Sequence, residues 1–159
     1  MLSLALSANR TLNLATLVLD YNGTIARDGV LLDGIAQRLT ELAKDMRVVV
    51  LSADTHGTVR YMLRDLPVTV MIIDSAQHAT EGHAKLHMLE ELGADTCAAM
   101  GNGRNDALML QRAALSVAII GEEGASMAAL TAAQVAVRDI RDGLDLLHTP
   151  QRLRATLRD

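Results

Sequence analysis

Asp20 closes the apolar run LATLVLD and opens the pentapeptide DYNGT, residues 20–24. A carboxylate at a strand end, followed by a glycine-containing turn, can attack an electrophile while backbone N–H groups cradle anionic oxygens. It can equally cap a turn. Thr24 could donate a hydroxyl hydrogen bond or close a local turn, and Gly23 allows a backbone geometry that a side chain resists. Two places after Asp20 stands Asn22, where a proton-transferring acid would be useful. Ser52 ends a second apolar run, VVVLS, and its hydroxyl could bind a phosphoryl oxygen; Ser52, Asp54 or Thr55 could instead cap a helix. Lys85, within GHAKLHMLEEL, has the surroundings of an exposed helical lysine and gains a role only if its helix start faces the same site. In GNGRNDALML, residues 101–110, two glycines flank Asn102, and Asn105 and Asp106 precede an apolar helical run. That amide and carboxylate could converge on a cation, for which Mg²⁺ is suited by its preference for oxygen ligands and retained water. An Asp-capped loop is the alternative.

The elements that must hold these residues follow from hydrophobic period. Strands are predicted at 14–20, 47–54, 68–73, 96–100 and 116–120, with a further strand in MLSLALS. RVVVLSAD is near-continuously apolar and β-branched, as in a strand buried on both faces. IARDGVLL, with its DG turn, predicts a small hairpin flap over 25–32. Apolar residues at 32, 35, 36, 39, 42 and 43 share one helical face. Further helices are expected over 56–65, 81–93 with Gly93 as C-cap, from 105, through ASMAALTAA, and from about 139, with an apolar run at 134–137. Strands alternating with helices over short joins predict one α/β domain spanning 1–159, with a mainly parallel sheet covered on both faces. Chemistry then collects beyond the carboxyl ends of the strands, near a reversal of strand order. Asp20, Ser52 and the 101–106 loop all follow strands and should share one sheet edge. No gap between strands has room for an inserted cap domain.

Composition closes other routes. A net charge of -4 gives no positive footprint for nucleic acid, and two Tyr without Phe or Trp give no base-stacking platform. Cys97 is the only cysteine, so neither an intramolecular disulfide nor a thiolate cluster can form; within TCAAM it reads as a small buried hydrophobe. No apolar run approaches the roughly 18 residues of a membrane span. MLSLALSANR lacks a basic leader, so no signal peptide is expected and cytoplasmic residence is the default. His83 and His87 could share a helical face, yet HAKLH lacks the HExxH arrangement, and His56, His78 and His148 add no zinc pattern.

Taken in order, DYNGT, VVVLSAD, the Lys85 helix and GNGRNDALML resemble the four motifs of the haloacid dehalogenase-like (HAD) hydrolase superfamily. The likeness covers about residues 12–137 and is closest to small capless members related to the P-type ATPase phosphorylation domain. It implies a three-layer Rossmann-like fold with a small flap and no large cap. It also implies that Asp20 is the nucleophile, taking the phosphoryl group and binding Mg²⁺. Asn22 occupies the place of an acid/base Asp whose backbone carbonyl also binds the metal. Thr24 closes the first motif, Ser52 and Ala53 with Lys85 receive phosphate, Asp106 is the retained metal-associated acid, and Asn105 supports its loop. Asn102 stands where the family pattern GDGxND has its first Asp.

The two asparagines shape what the resemblance implies. The metal contact at 22 uses a backbone carbonyl and survives the change, whereas the side chain can no longer transfer a proton, a function typically worth about 10²–10⁴-fold. P-type ATPases carry Thr at this place and exploit a longer-lived phosphoenzyme, so slow turnover is coherent. The leading expectation is a Mg²⁺-dependent phosphohydrolase acting on a small phosphorylated substrate. A catalytically inactive phosphate-binding or regulatory domain is the second, and metal-free haloacid dehalogenation a minor third, since it relies on a cap. Capless relatives are often oligomeric, so a homodimer or tetramer is expected, with MLSLALS or IRDGLDLL in the contact or packed within the chain.

Overall fold

The computed structural model describes residues 1–7, 10–54, 57–74, 76 and 78–158. His56 and Thr55, considered above as a metal ligand and a helix cap, lie outside the described residues. The chain opens with an antiparallel hairpin, β1 (Leu2–Ser7) and β2 (Arg10–Leu14), before entering the main sheet at β3 (Thr16–Asp20). The run 14–20, expected as one strand, is therefore broken at Ala15. Its N–H donates to Thr96 and its carbonyl accepts from Arg47, each at the edge of a neighbouring strand.

A flap follows: β4 (Ala26–Arg27) and β5 (Val30–Leu31), turning on Asp28 and Gly29 with φ of 51° and 79°. Two consecutive positive φ values are what a tight two-residue hairpin requires, and the Asp-Gly pair supplies them. Tyr21 is fully buried beneath the flap, and its hydroxyl donates to the Gly29 carbonyl at 3.0 Å. Only this hairpin stands between β3 and α1 (Ile35–Leu42), so nothing of cap size intervenes there. The helix is shorter than its apolar pattern because Gly34, with φ 77°, starts it late and a turn over 43–46 ends it.

The chain continues through β6 (Arg47–Ser52), α2 (Val59–Met62), β7 (Thr69–Ile72), α3 (Glu81–Glu91), β8 (Cys97–Gly101) and α4 (Ala107–Arg112). It finishes with β9 (Leu115–Ile119), α5 (Met127–Ala132), β10 (Val135–Val137), α6 (Ile140–His148) and α7 (Pro150–Leu157). Six strands form a parallel sheet in the order β10-β9-β8-β3-β6-β7. The chain first builds outward from β3 through β6 to β7, then returns to its other side with β8. The reversal of order therefore falls between β3 and β8, at the carboxyl end of which a cleft is expected.

Alternate residues of each strand feed opposite layers. Leu17, Leu19, Val48, Val50 and Met100 join a core with α1, α6 and the first hairpin. Val18, Val49, Leu51, Cys97 and Ala99 join a second core with α3, α4 and α5. Both faces being covered explains the continuous apolar strands in the sequence. Leu4 and Leu6 of MLSLALS, and Ile140, Leu144 and Leu147 of the tail, are buried within the chain itself, and α7 packs on β1. Intramolecular packing thus accounts for both stretches weighed as subunit contacts.

Candidate active site

At the carboxyl edge of the sheet, Asp20 ends β3 and is 7% exposed, while Lys85 and Asp106 are wholly buried. Lys85 Nζ lies 2.6 Å from Asp20 Oδ1 and 2.7 Å from Asp106 Oδ1. The other Asp20 oxygen, Oδ2, accepts from the Thr24 hydroxyl at 2.9 Å. Asp106 Oδ2 accepts from the N–H groups of Asn102 (3.0 Å) and Gly103 (2.8 Å), which folds the loop after β8 around its carboxyl. Every carboxylate oxygen of the pair is thus satisfied, as burial demands.

Lys85 reaches this depth because α3 comes unusually close to the 101–106 loop. A Cβ on Gly82 would sit 3.3 Å from the Asn105 carbonyl, already tight. Asn105 fastens the same junction, its amide donating to Glu81 at 2.8 Å, and Thr80 caps the helix by accepting from His83 N–H. Gly101 answers a second constraint: a Cβ there would fall 2.5 Å from the Asp106 carboxyl. The expectation of an exposed helical lysine does not hold, since its side chain is the buried link between two strand ends.

The trio carries one ammonium against two carboxylates, a surplus of one negative charge when all are ionised. Burial pushes the Asp20 carboxyl up to about 6, Asp106 pushes it the same way, and Lys85 and Thr24 resist the rise. Burial opposes the Lys85 charge, but the two carboxylates outweigh it and hold the ammonium above its ordinary range. Two carboxylates with surplus charge suit a divalent cation with a preference for oxygen. Among the described residues no three His, Cys, Asp or Glu side chains form a metal-binding group. Asp20 and Asp106 would therefore need carbonyl donors, such as those of Asn22 and Asn102, and water, a mixture that suits Mg²⁺.

The remaining motif residues take different places. Asn22 turns its side-chain oxygen to the flap, accepting from Gly29 N–H at 2.9 Å. Asn102 lies beside Thr24, Oδ1 to Oγ1 3.4 Å, and its amide donates to the Gly124 carbonyl at 3.1 Å. Ser52 ends β6, one residue beyond Leu51, which pairs in register with Asp20. Its hydroxyl accepts from Asp54 N–H at 2.9 Å, and the Asp54 carboxylate accepts from the N–H of Val59, the first residue of α2. Ala53 is exposed at that edge.

A cavity of about 220 Å³ opens beside the trio rather than over it, bounded by Gly23, Thr24, Arg27, Glu123, Arg138 and Arg141. Asp20, Lys85 and Asp106 cluster without lining it. Sequence reasoning passed over Glu81, Gly82 and the 121–124 loop. Their signals were faint: a glycine one residue into a helix, and a GEEG stretch between glycines. His83 bonds Thr80 and His87 lies 3.4 Å from Glu91, separate surface contacts on α3.

No protein-family model matches the chain. It is 42% identical over 93 residues to the uncharacterized protein MJ0073 of Methanocaldococcus jannaschii, covering 56% of this chain and all of that one. Among solved structures, it resembles the cobalt-bound deoxy-D-mannose-octulosonate 8-phosphate phosphatase of Haemophilus influenzae, with a TM-score of 0.69 at 16% identity over 88% of this chain and 90% of that one. A Legionella pneumophila protein assigned to the HAD superfamily, subfamily III A, follows with a TM-score of 0.66 at 18% identity over 91% and 87%. At these identities the likeness carries the fold, which is the Rossmann-like HAD fold with a parallel central sheet and small flap.

Proposed function

We propose that this chain, which belongs to the family of the M. jannaschii protein MJ0073, is a Mg²⁺-dependent phosphohydrolase that forms an aspartyl-phosphate at Asp20. The observation that carries this reading is the buried trio in which Lys85 lies 2.6 Å from Asp20 and 2.7 Å from Asp106 at the switch point of the sheet. A nucleophilic carboxylate must stay ionised and aimed despite burial, and Lys85 and Thr24 do both. Asp20 attacks phosphorus through one oxygen while Thr24 steadies the other. Lys85 neutralises the oxygens gathering at the phosphoryl group, and Ser52 with the backbone at Ala53 receives them from the neighbouring strand end. Asp20, Asp106, the Asn22 carbonyl and Asn102 would hold the Mg²⁺, which when bound draws charge from the phosphoryl oxygens. The cobalt in the H. influenzae phosphatase supports a divalent site in this fold.

The substrate is a small phosphorylated molecule. With only the flap above the site, its selection falls to the flap, the 121–124 loop and a neighbouring copy of the chain in a homodimer or tetramer. Hydrolysis with and without Mg²⁺, paired with mass measurement of an adduct on Asp20, tests the reading. Absence of any adduct across donors and metals would sink it.

A second reading is a phosphate-binding or regulatory domain without turnover. Its supporting observation is that both asparagines have structural employment, Asn22 bonding Gly29 and Asn102 bonding Gly124. Binding of a phosphate analogue without covalent labelling of Asp20 would favour it.

A further inference from the structure

We propose that Glu123 supplies the acid/base carboxylate that Asn22 cannot. The inference rests on the phosphohydrolase reading. Asn22 has spent its side-chain oxygen on the flap, 2.9 Å from Gly29 N–H, and an amide exchanges no proton at neutral pH. Yet a carboxylate stands next door. A Cβ built on Gly23 would lie 2.7 Å from Glu123 Oε2, between it and the Asn102 amide. Gly23 is the link between Asn22 and Thr24, and Thr24 is bonded to Asp20. The carboxylate therefore rests on the nucleophile loop, at the residue adjoining the substituted position.

The 121–124 loop is held there by several contacts. Gly121, with φ 56°, passes so near that its Cβ would come 3.5 Å from the Gly23 carbonyl. The Asn102 amide donates to the Gly124 carbonyl at 3.1 Å, and Ser126 N–H donates to the Asn102 carbonyl at 2.9 Å. Of the two glutamates on this loop, Glu122 is taken up by an ion pair with Arg27 of the flap. Glu123 has no hydrogen-bond or ion-pair partner among the described residues. It lines the cavity shared with Gly23 and Thr24, beside the buried trio. Gly23, with φ 80°, leaves the space that both Glu123 and Asn102 occupy.

Two steps would use this carboxylate. As Asp20 bonds phosphorus and the bond to the leaving oxygen breaks, protonated Glu123 gives that oxygen its proton. Glu123, now a carboxylate, then takes a proton from water as the water oxygen attacks phosphorus. The bond to Asp20 breaks, its electron pair returns to the Asp20 carboxylate, and phosphate leaves. Proton help of this kind is worth roughly 10²–10⁴-fold.

The test loads the full-length chain with radiolabelled acetyl phosphate and Mg²⁺, then follows label loss from Asp20 during a cold chase. Acetyl phosphate has a good leaving group, so labelling makes little demand on an acid and the chase isolates the water step. Glu123→Gln should still take up label but lose it roughly 10²–10⁴-fold more slowly than the unaltered chain. Glu123→Gln combined with Asn22→Asp should regain rapid loss, an outcome that a merely structural Glu123 would not give. Loss from Glu123→Gln at the unaltered rate, or no recovery in the double variant, overturns the proposal while leaving the phosphohydrolase reading intact. No label on the unaltered chain overturns both.

Discussion

Lys85 and Asp20, 65 positions apart in the chain, meet at 2.6 Å in the protein interior, and the same ammonium reaches Asp106 at 2.7 Å. One cation thereby holds two strand ends together and tempers the repulsion between their carboxylates.

Replacing Lys85 with Met should be costly beyond the loss of any activity. Two buried carboxylates would then face each other with no cation, and breaking a buried pair from one side typically costs about 3–5 kcal/mol. Urea denaturation should show a midpoint well below that of the unaltered chain, and an unchanged midpoint would contradict the charge balance described here.

Asp20→Asn should abolish phosphoenzyme formation while leaving the protein as stable or more so at neutral pH. Burial raises the Asp20 carboxyl to about 6. Between its ordinary value and 6 the folded chain binds more protons than the unfolded chain, so stability falls as pH rises through that window and is flat above it. The cost is on the order of 3 kcal/mol. Asn carries no such cost, and denaturation midpoints at pH 4 and pH 7.5 should diverge less for the variant.

Mg²⁺ should raise the melting temperature saturably by relieving the surplus charge, with chelation reversing the gain. At about 100 times its Kd, a ligand confined to the folded state adds about 2.7 kcal/mol. Asp106→Asn should blunt the response, as differential scanning calorimetry would show.

In a chain that also carries Glu123→Gln, Asn22→Asp should raise phosphate release, by up to about 10²-fold, without disturbing the flap. A carboxylate oxygen can accept from Gly29 N–H as the amide oxygen does. Steady-state phosphate assays check the rate, and unchanged thermal stability checks the flap.

Gly101→Ala should cripple the site through geometry alone. The added methyl would fall 2.5 Å from the Asp106 carboxyl, and either the loop or the carboxylate must yield. Activity should drop with only modest change in secondary structure by circular dichroism.

The sheet was legible because each strand's apolar run is dictated by two covered faces, and the flap because Asp28-Gly29 is a turn with little alternative. Asp20 could be placed at a strand end from LATLVLD alone. The break at Ala15 could not, for an alanine amid leucines carries no turn signal; partners on two other strands impose it. Lys85 was illegible locally, since its neighbours Leu86 and Met88 look the same beside an exposed lysine. What buries it is Gly82, whose missing side chain lets α3 settle onto a loop some twenty residues further along. Glu123 was illegible for the opposite reason. Its own stretch is plain loop, and its meaning depends on which residues the fold lays against it.

The place of β3 between β6 and β8 also has a consequence for how the molecule is made. β6 is a near neighbour in sequence, but β8 returns only after some eighty residues, and slow closure of long loops limits such pairings. Until β8 docks, Asp20 lacks Asp106 beside it. A newly made or refolding chain would thus carry the Asp20 carboxylate without Asp106 until this long-range pairing forms, so capacity to take up phosphate should report docking of β8 rather than collapse.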